Sequence, residues 1–196
     1  MDPNVIPSTE SSPGRPVERI VLTGFMGSGK TTLGRLLAKR LRWQFLDLDG
    51  LLERRAGRSV AAIFAESGEA EFRRLESEAL VEALRASEVV LALGGGTLET
   101  APNAAMLSTA ERTHVVLLSA PFPVLYERCV RQSSDPSAAV RPLLGDRDSV
   151  EERLIRRERL YRAAAHVVLD TSGQSPEESV AALLETLRMQ DIGTAR

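Results

Sequence analysis

Apolar and polar positions along the chain follow two different periods. Short apolar runs rich in β-branched residues are separated by longer stretches in which apolar residues recur at helical spacing. A helix is predicted to start at about Lys30, because leucines at helical spacing follow it. Strands are predicted at residues 19–23, 44–47, 89–93, 113–118 and 166–169. This alternation favours an α/β fold, a three-layer sandwich in which a five-stranded parallel sheet is covered by helices.

Two segments interrupt the simple alternation of strand and helix. Residues 51–85 are predicted to be wholly helical, with breaks at Gly57 and Gly68, so a helical insertion of about residues 50–85 would lie beside the sheet and carry a substrate pocket. Residues 132–149 are polar, contain two prolines and separate helices predicted at 124–131 and 150–162. A connection of this length is typical of a mobile lid or of disorder, and we interpret it as a lid.

The overall composition is that of one globular domain with a small-molecule partner. The chain has 196 residues, 43% hydrophobic and 27% charged, with a net charge of −2. A slightly acidic balance argues against nucleic acid or anionic membrane as a partner. The chain length favours a single domain, which we expect over residues 18–196, and the proline- and serine-rich residues 1–17 are expected to form a flexible tail. A monomer is preferred.

Cysteine and histidine content excludes several kinds of site. Cys129 is the only cysteine and there are two histidines, so neither an internal disulfide nor a multi-cysteine zinc site is expected, and Cys129 is expected to be buried or half-buried. The N-terminal segment lacks the basic start and apolar centre of a secretory signal, and no apolar run approaches the roughly 20 residues of a membrane span. These observations favour a cytoplasmic location.

The strongest motif is GFMGSGKT at residues 24–31, which fits G-x-x-x-x-G-K-[ST] between a predicted strand and a predicted helix. In such a loop, backbone N–H groups wrap the phosphates of a nucleotide. Lys30 would reach the β- and γ-phosphates and Thr31 would offer its hydroxyl to Mg²⁺. The nucleotide contacts predicted here are Gly27, Ser28, Gly29, Lys30, Thr31 and Thr32.

The second predicted strand ends in FLDLDG, which places Asp47 and Asp49 two residues apart. On an extended chain both carboxylates would point to the same side, at the sheet edge where α/β proteins bind ligands. One would then hold Mg²⁺ through water, and the other would handle an acceptor hydroxyl. The alternative is that these aspartates cap the following helix.

Three consecutive glycines, Gly94 to Gly96, follow the central apolar strand, although the phosphate loop is already complete. Glycine allows close approach of a backbone to a ligand, so the triplet predicts a second small-molecule subsite at the same edge. A flexible turn after the strand is the alternative.

These motifs, together with three others, carry a resemblance to shikimate kinases over nearly all of residues 19–190. The other three are GEAEFRRLE at 68–76, RPLL at 141–144 and RRERLYRAAA at 156–165, and their order and separations distinguish the family from adenylate and gluconate kinases. The resemblance implies ATP-dependent phosphorylation of the 3-hydroxyl of shikimate, with Mg²⁺, giving shikimate 3-phosphate and ADP for chorismate and aromatic amino acid synthesis.

The same resemblance implies roles for individual residues. Arg73 and Arg157 would hold the substrate carboxylate, a task suited to bidentate guanidinium groups. Asp49 would contact ring hydroxyls and accept the proton of the attacking one, with Asp47 near the metal. Gly94, Gly95 and Gly96 would bring main-chain N–H groups to the substrate and the γ-phosphate.

Arg141, in the predicted lid, is the candidate for neutralising charge in the transition state. Arg131 and Gln174, in the SGQSP stretch at 172–176, match the positions that hold adenine in the family. For Arg131, as for Arg153, Arg156 and Arg159, a solvated helix charge is the alternative. Two other functions compete with shikimate phosphorylation: a kinase for another polyol acid such as gluconate, and a regulatory ligand sensor that retains the fold.

Overall fold

The structure, a computed structural model, describes residues 5–7, 17–133 and 146–189. Its elements, in chain order, are β1 (Val5–Pro7), β2 (Arg19–Thr23), α1 (Lys30–Leu41), β3 (Gln44–Asp47), α2 (Leu48–Ala56), α3 (Val60–Ala83), β4 (Val89–Ala92), a 3₁₀ turn (Thr97–Glu99), α4 (Ala101–Thr109), β5 (Thr113–Ser119), α5 (Phe122–Ser133), α6 (Arg147–Ala164), β6 (Val167–Asp170) and α7 (Pro176–Met189). Among these residues, no helix is both long and apolar enough to cross a bilayer.

The strands form one sheet in the order β1-β6-β5-β2-β4-β3. The five strands β2 to β6 run parallel to one another, which confirms the predicted five-stranded parallel sheet. Strand β4 lies between β2 and β3, so the segments that follow these three strands emerge side by side at the carboxyl edge. That edge is where ligands bind in open α/β sheets.

Helices cover both faces of the sheet because alternate residues of each strand point to opposite sides. In β5, Val115 and Leu117 pack into a core with helices α2 to α6, whereas Val116 and Leu118 pack into a second core with α1 and α7. The near-continuous apolar run that results is what a strand buried on both faces requires. The predicted three-layer arrangement is therefore confirmed.

The sixth strand was not predicted. Val5–Pro7 pairs antiparallel with β6, in a register that places Val5 opposite Leu169, and Val17 is buried beside the sheet. Both belong to the segment predicted as a flexible tail, whose other residues lie outside the described ones. The edge position is compatible with Pro7, because prolines within sheets occur mostly in edge strands.

The helical insertion at about residues 50–85 consists of α2 and α3. Gly57 ends α2 in a left-handed conformation, and Ser59 caps α3 by accepting a hydrogen bond from the Ala62 N–H at 3.1 Å. Gly68 has φ 79° and ψ 178° and interrupts α3, so both predicted breaks are present. The boundaries of the predicted lid need correction, because α5 extends to Ser133 and α6 begins at Arg147. Residues 134–145 lie outside the described part of the chain.

Candidate functional site

The order of strands, with helices α3 and α6, brings five separate motifs to one edge of the sheet. The phosphate loop follows β2, Asp47 ends β3 and the glycine triplet follows β4. Helix α3 brings Arg73 over the triplet, and α6 brings Arg157 from the other side. The sequence predicted these motifs one at a time, and the sheet order explains why they meet.

The phosphate loop turns sharply from β2 into α1. Gly27 has φ 77°, and a side chain there would also place its Cβ 2.5 Å from the carbonyl oxygen of Leu125. Gly29 precedes α1 in a left-handed conformation, and no side chain caps the helix. The first N–H groups of α1 therefore remain available to an anion, which the helix dipole also favours. Ser28 is buried in the loop and Thr32 is exposed on the first turn of α1.

The ammonium group of Lys30 lies over the loop that precedes it. Its Nζ donates to the carbonyl oxygens of Gly24 at 2.7 Å and Phe25 at 2.9 Å. The charge is thus held at the mouth of the loop, close enough to lower the pKa of Asp49 slightly against the effects that raise it. A phosphate at the amino end of α1 would lie within reach of this group.

Thr31 and Asp47 provide two neighbouring oxygen ligands beside the loop. The Thr31 hydroxyl donates to Asp47 Oδ2 at 3.3 Å, and the other carboxylate oxygen accepts the Gly50 N–H at 3.4 Å, which caps α2. The two interpretations of Asp47, a helix cap and a group near the metal, are therefore compatible. No group of three or more potential metal ligands occurs among the described residues. This donor set fits Mg²⁺, which takes one or two protein oxygens and fills its octahedron with water and phosphate.

Asp49 lies on the first turn of α2, so the prediction that it continues an extended strand is wrong. The buried Leu48 turns inward and α2 begins there, with Asp47 as its N-cap. The pKa of Asp49 is raised from 3.8 to about 6: burial is the largest cause, the negative charges of Asp47, Glu76 and Glu53 add to it, and the charge of Lys30 opposes it. A carboxylate with a pKa near neutrality is suited to accept a proton at physiological pH.

The glycine triplet makes room for polar side chains of the protein itself. A Cβ on Gly94 would lie 2.9 Å from Asp49 Oδ1 and 3.2 Å from Glu76 Oε1. A Cβ on Gly96 would lie 2.8 Å from Arg73 Nη2, whereas one on Gly95 would have its nearest neighbour, Arg157 Nη1, at 3.6 Å. None of the three has a left-handed φ, so backbone conformation does not demand glycine; a side chain at either outer position would instead displace the ends of the surrounding polar side chains.

Arg73 and Arg157 lie on either side of the glycine triplet and are joined by a carboxylate. Arg157, which is buried, donates from Nε to Glu99 Oε2 at 2.9 Å, and its Nη2 forms an ion pair with the same oxygen at 2.6 Å. Arg73 Nη2 lies 3.8 Å from the same oxygen. Burial would raise the pKa of Glu99, but the hydrogen bond and charge of Arg157, with the charges of Arg156 and Arg73, outweigh it and lower this pKa. Glu99 is therefore a carboxylate anion at neutral pH.

Sequence reasoning assigned no role to Glu76 or Glu99. The buried Glu76 accepts hydrogen bonds from Arg73 Nη1 at 2.8 Å and Thr97 Oγ1 at 2.7 Å, so it orients Arg73 toward the triplet. The spacing of three between Arg73 and Glu76 on a predicted helix was a usable signal. Glu99 had no such signal, because its partner Arg157 is 58 positions away in sequence.

Tyr161 is a further side chain that shapes this region. Its hydroxyl donates to the carbonyl oxygen of Gly95 at 2.5 Å, which fixes the middle of the triplet against α6. Burial raises the pKa of Tyr161 well above its ordinary value, so the hydroxyl stays protonated and remains a donor.

The two residues predicted to contact adenine, Arg131 and Gln174, both interact with side chains of the protein itself. Arg131 is exposed and pairs with Glu127 at 2.6 Å, four residues earlier on α5, an arrangement typical of a surface helix charge. Gln174 Oε1 accepts a hydrogen bond from the Ser179 hydroxyl at 3.3 Å. Arg141 lies outside the described residues. Cys129 is buried, as expected, and its Sγ would lie 2.9 Å from a Cβ on Gly27, beneath the phosphate loop.

Comparison with known proteins gives a consistent result. A family model described as shikimate kinase matches residues 26–188. A shikimate kinase of Nitrosomonas europaea is 39% identical over 189 residues, which cover 93% of this chain and 82% of the relative. The solved shikimate kinase of Acinetobacter baumannii in complex with shikimate is similar with a TM-score of 0.80 and 33% identity, covering 90% of this chain and 96% of that one.

A gluconokinase of Sinorhizobium meliloti is also similar, with a TM-score of 0.56 and 20% identity over 90% of this chain and 99% of that one. That likeness is limited to the fold. It gives no support to gluconate as the acceptor.

Proposed function

This chain belongs to the shikimate kinase family, and we propose that it transfers the γ-phosphate of ATP to the 3-hydroxyl of shikimate, giving shikimate 3-phosphate and ADP. The product would enter chorismate and aromatic amino acid synthesis. The observation that carries the proposal is the meeting of a phosphate loop, the aspartate Asp49 and the guanidinium groups of Arg73 and Arg157 at one sheet edge. A phosphoryl donor and a carboxylated polyol need this combination.

The nucleotide would bind with its phosphates at the amino end of α1. Backbone N–H groups of Gly27 to Thr32 would surround them, and the Lys30 ammonium would exchange its two carbonyl partners for β- and γ-phosphate oxygens. Thr31 directly and Asp47 through water would hold Mg²⁺. The metal supplies positive charge that stabilises the transferring phosphate.

The acceptor would lie over the glycine triplet, with its carboxylate toward Arg73 and Arg157 and its ring hydroxyls toward Asp49. The 3-hydroxyl oxygen forms a bond to the γ-phosphorus while the bond from that phosphorus to the bridging oxygen of ADP breaks. Asp49 takes the hydroxyl proton, which its raised pKa favours. Because the transition state carries its charge on phosphate oxygens, positioning and electrostatic stabilisation do most of the catalysis.

Further parts of the proposal rest on the family resemblance. Arg141 would close over the phosphates with the segment at about 132–149 and neutralise transition-state charge. Arg131 and Gln174 would contact the adenine. We further propose a cytoplasmic, monomeric enzyme whose single domain is residues 18–196, to which the preceding segment adds β1 and the buried Val17.

A coupled assay of ADP release tests the function. With Mg-ATP, the protein is expected to turn over shikimate rapidly and to give only background rates with quinate and gluconate. Asp49→Asn should lower kcat by about 10³-fold or more while ATP still binds, because a positioned general base contributes roughly 10²- to 10⁴-fold. Arg159→Gln, which removes a charge on the exposed face of α6, is the matched control and should retain normal rates.

Two outcomes would contradict the proposal. Preferred turnover of gluconate would mean that the arginine pair has been assigned to the wrong substrate. Binding of shikimate by calorimetry without any turnover would favour a ligand sensor that has kept the fold of a kinase.

A further inference from the structure

Glu99 places a carboxylate of the protein between the two arginines assigned to the substrate carboxylate. Its Oε2 lies 2.6 Å from Arg157 Nη2 and 3.8 Å from Arg73 Nη2. The same oxygen would lie 3.1 Å from a Cβ on Gly96, so it stands directly over the glycine triplet. Two guanidinium groups that converge on one carboxylate are the arrangement that an acidic substrate requires.

A second carboxylate cannot bind the same guanidinium edges while Glu99 stays there. Arg157 Nε donates its hydrogen bond to Glu99 and Nη2 is ion-paired with the same oxygen, while Arg73 Nη1 is already engaged by Glu76. Two carboxylates in contact also repel each other, and this repulsion is strong where water is partly excluded. Substrate binding therefore requires Glu99 to release at least one of its contacts.

An alternative partner for Glu99 lies at the rim of the site. The second carboxylate oxygen, Oε1, is 3.4 Å from Arg156 Nε, on a side chain that is 64% exposed. By contrast, the side chain of Arg157 is 11% exposed. A small rotation of Glu99 would move it from the buried guanidinium to the exposed one and keep it ion-paired.

We propose that Glu99 is an internal competitor for the substrate carboxylate, which binds by displacing Glu99 from Arg157 toward Arg156. This inference rests on the proposed function, since it takes Arg73 and Arg157 as the carboxylate receptor. Glu99 is then a positioning residue that keeps Arg157 oriented and sets the affinity for acidic acceptors, whereas Arg156 receives the displaced carboxylate. Arg156, one of several exposed charged residues of α6, thereby has a role in substrate binding that its exposed neighbours lack.

The test is the separation of KM from kcat in a set of variants. Glu99→Gln keeps the shape and removes the charge, so the KM for shikimate is expected to fall about fivefold, the scale of one partly exposed ion pair, with kcat within about twofold of the unmodified protein. Glu99→Asp, whose shorter side chain reaches Arg157 less well, should lower KM by about twofold. The KM for ATP should not change in either variant.

Arg156→Gln is expected to have the opposite effect. Without the receiving guanidinium, Glu99 stays on Arg157 and the KM for shikimate should rise about threefold. In the Glu99→Gln background the same substitution should do no more than the control Arg159→Gln, because the two residues act through one contact. Calorimetric titration with shikimate gives the same comparison without turnover.

An unchanged or higher KM in Glu99→Gln, with a normal melting temperature, would overturn the proposal and make Glu99 a support for Arg157 alone. If Glu99→Gln does not fold, Arg156→Gln decides: a KM no different from that of Arg159→Gln would overturn the proposal. Failure of the proposed function is distinguishable, because the unmodified protein would then show no shikimate-dependent ADP release.

Discussion

Asp49 should destabilise the folded protein at neutral pH, and Asp49→Asn should therefore stabilise it while abolishing turnover. The carboxylate is partly buried beside Asp47, Glu76 and Glu53, and these surroundings raise its pKa from 3.8 to about 6. An acid whose pKa is higher in the folded protein than in the unfolded chain favours folding when protonated. Its stabilising effect is full below the unfolded pKa of 3.8 and is lost as the pH rises through about 6.

The size of the effect follows from the two pKa values. Their difference, at about 1.36 kcal/mol for each pH unit, corresponds to about 3 kcal/mol of lost stability once Asp49 is fully ionised. By the same linkage the loss is about 3 kcal/mol at about pH 8 and about 1.6 kcal/mol at about pH 5. Asparagine has no charge at either pH. The advantage of Asp49→Asn should thus be about 1.4 kcal/mol larger at the higher pH, whatever constant difference the amide introduces.

Urea unfolding followed by circular dichroism at these two pH values measures the effect. The quantity of interest is the difference in free energy of unfolding between Asp49→Asn and the unmodified protein, at each pH. Asp148→Asn, on the exposed first turn of α6, removes the same charge far from the acidic cluster and serves as the control. It should show no comparable change between the two pH values.

An Asp49→Asn variant that gains no stability at the higher pH relative to the lower would refute this prediction. A gain that is equal at both pH values would mean that the amide packs better and that the charge is irrelevant. A loss confined to the higher pH would mean that the ionised carboxylate stabilises the fold, and that Lys30 dominates over the acidic neighbours.

Three further predictions concern activity. The kcat/KM for shikimate should fall with acid along a limb with an apparent pKa of about 6, measured from about pH 5 to pH 8, and a flat profile would exclude Asp49 as the base. Gly94→Ala should raise the KM for shikimate about tenfold or more, because its Cβ would lie 2.9 Å from Asp49 Oδ1 and push the carboxylate aside; normal kinetics would contradict this. Chelation with EDTA should stop ADP release until Mg²⁺ is restored, and Asp47→Asn should need more Mg²⁺ for half-maximal rate; equal requirements would remove Asp47 from the metal site.

Much of the fold was predictable because parallel strands buried on both faces are continuous apolar runs. All five predicted strands are present, with ends shifted by at most one residue: the strand predicted at 89–93 is Val89–Ala92 and the one predicted at 166–169 is Val167–Asp170. Strand β1 was missed because three residues give no periodic signal and their pairing depends on the distant edge of β6. Local pattern cannot reveal a strand whose stability comes entirely from its partner.

The site was predictable where chemistry is local and not where it depends on packing. The phosphate loop is a contiguous motif, and its turn into α1 begins at the predicted residue, Lys30. The position of Asp49 was wrong because the tendency of Asp47 to cap a helix outweighs extension of the strand. The role of Glu99 could not be predicted from sequence, because its carboxylate meets Arg157 only once α6 packs beside the glycine triplet.

The cationic side chains of the site are paired with oxygen atoms of the protein itself. Lys30 donates to loop carbonyls, Arg73 to Glu76, and Arg157 to Glu99, so these three cations, all within the described part of the chain, already have a partner before a ligand binds. A ligand must therefore replace an existing contact, which weakens binding but sharpens discrimination. An uncharged polyol could displace Glu99 only by leaving the buried Arg157 without a carboxylate, and the free energy this costs exceeds what a hydrogen bond to a hydroxyl contributes. Glu99→Gln should therefore narrow the preference for shikimate over its uncharged analogues. Without the competing charge, carboxylate and hydroxyl ligands each bind Arg157 according to the strength of their own hydrogen bonds.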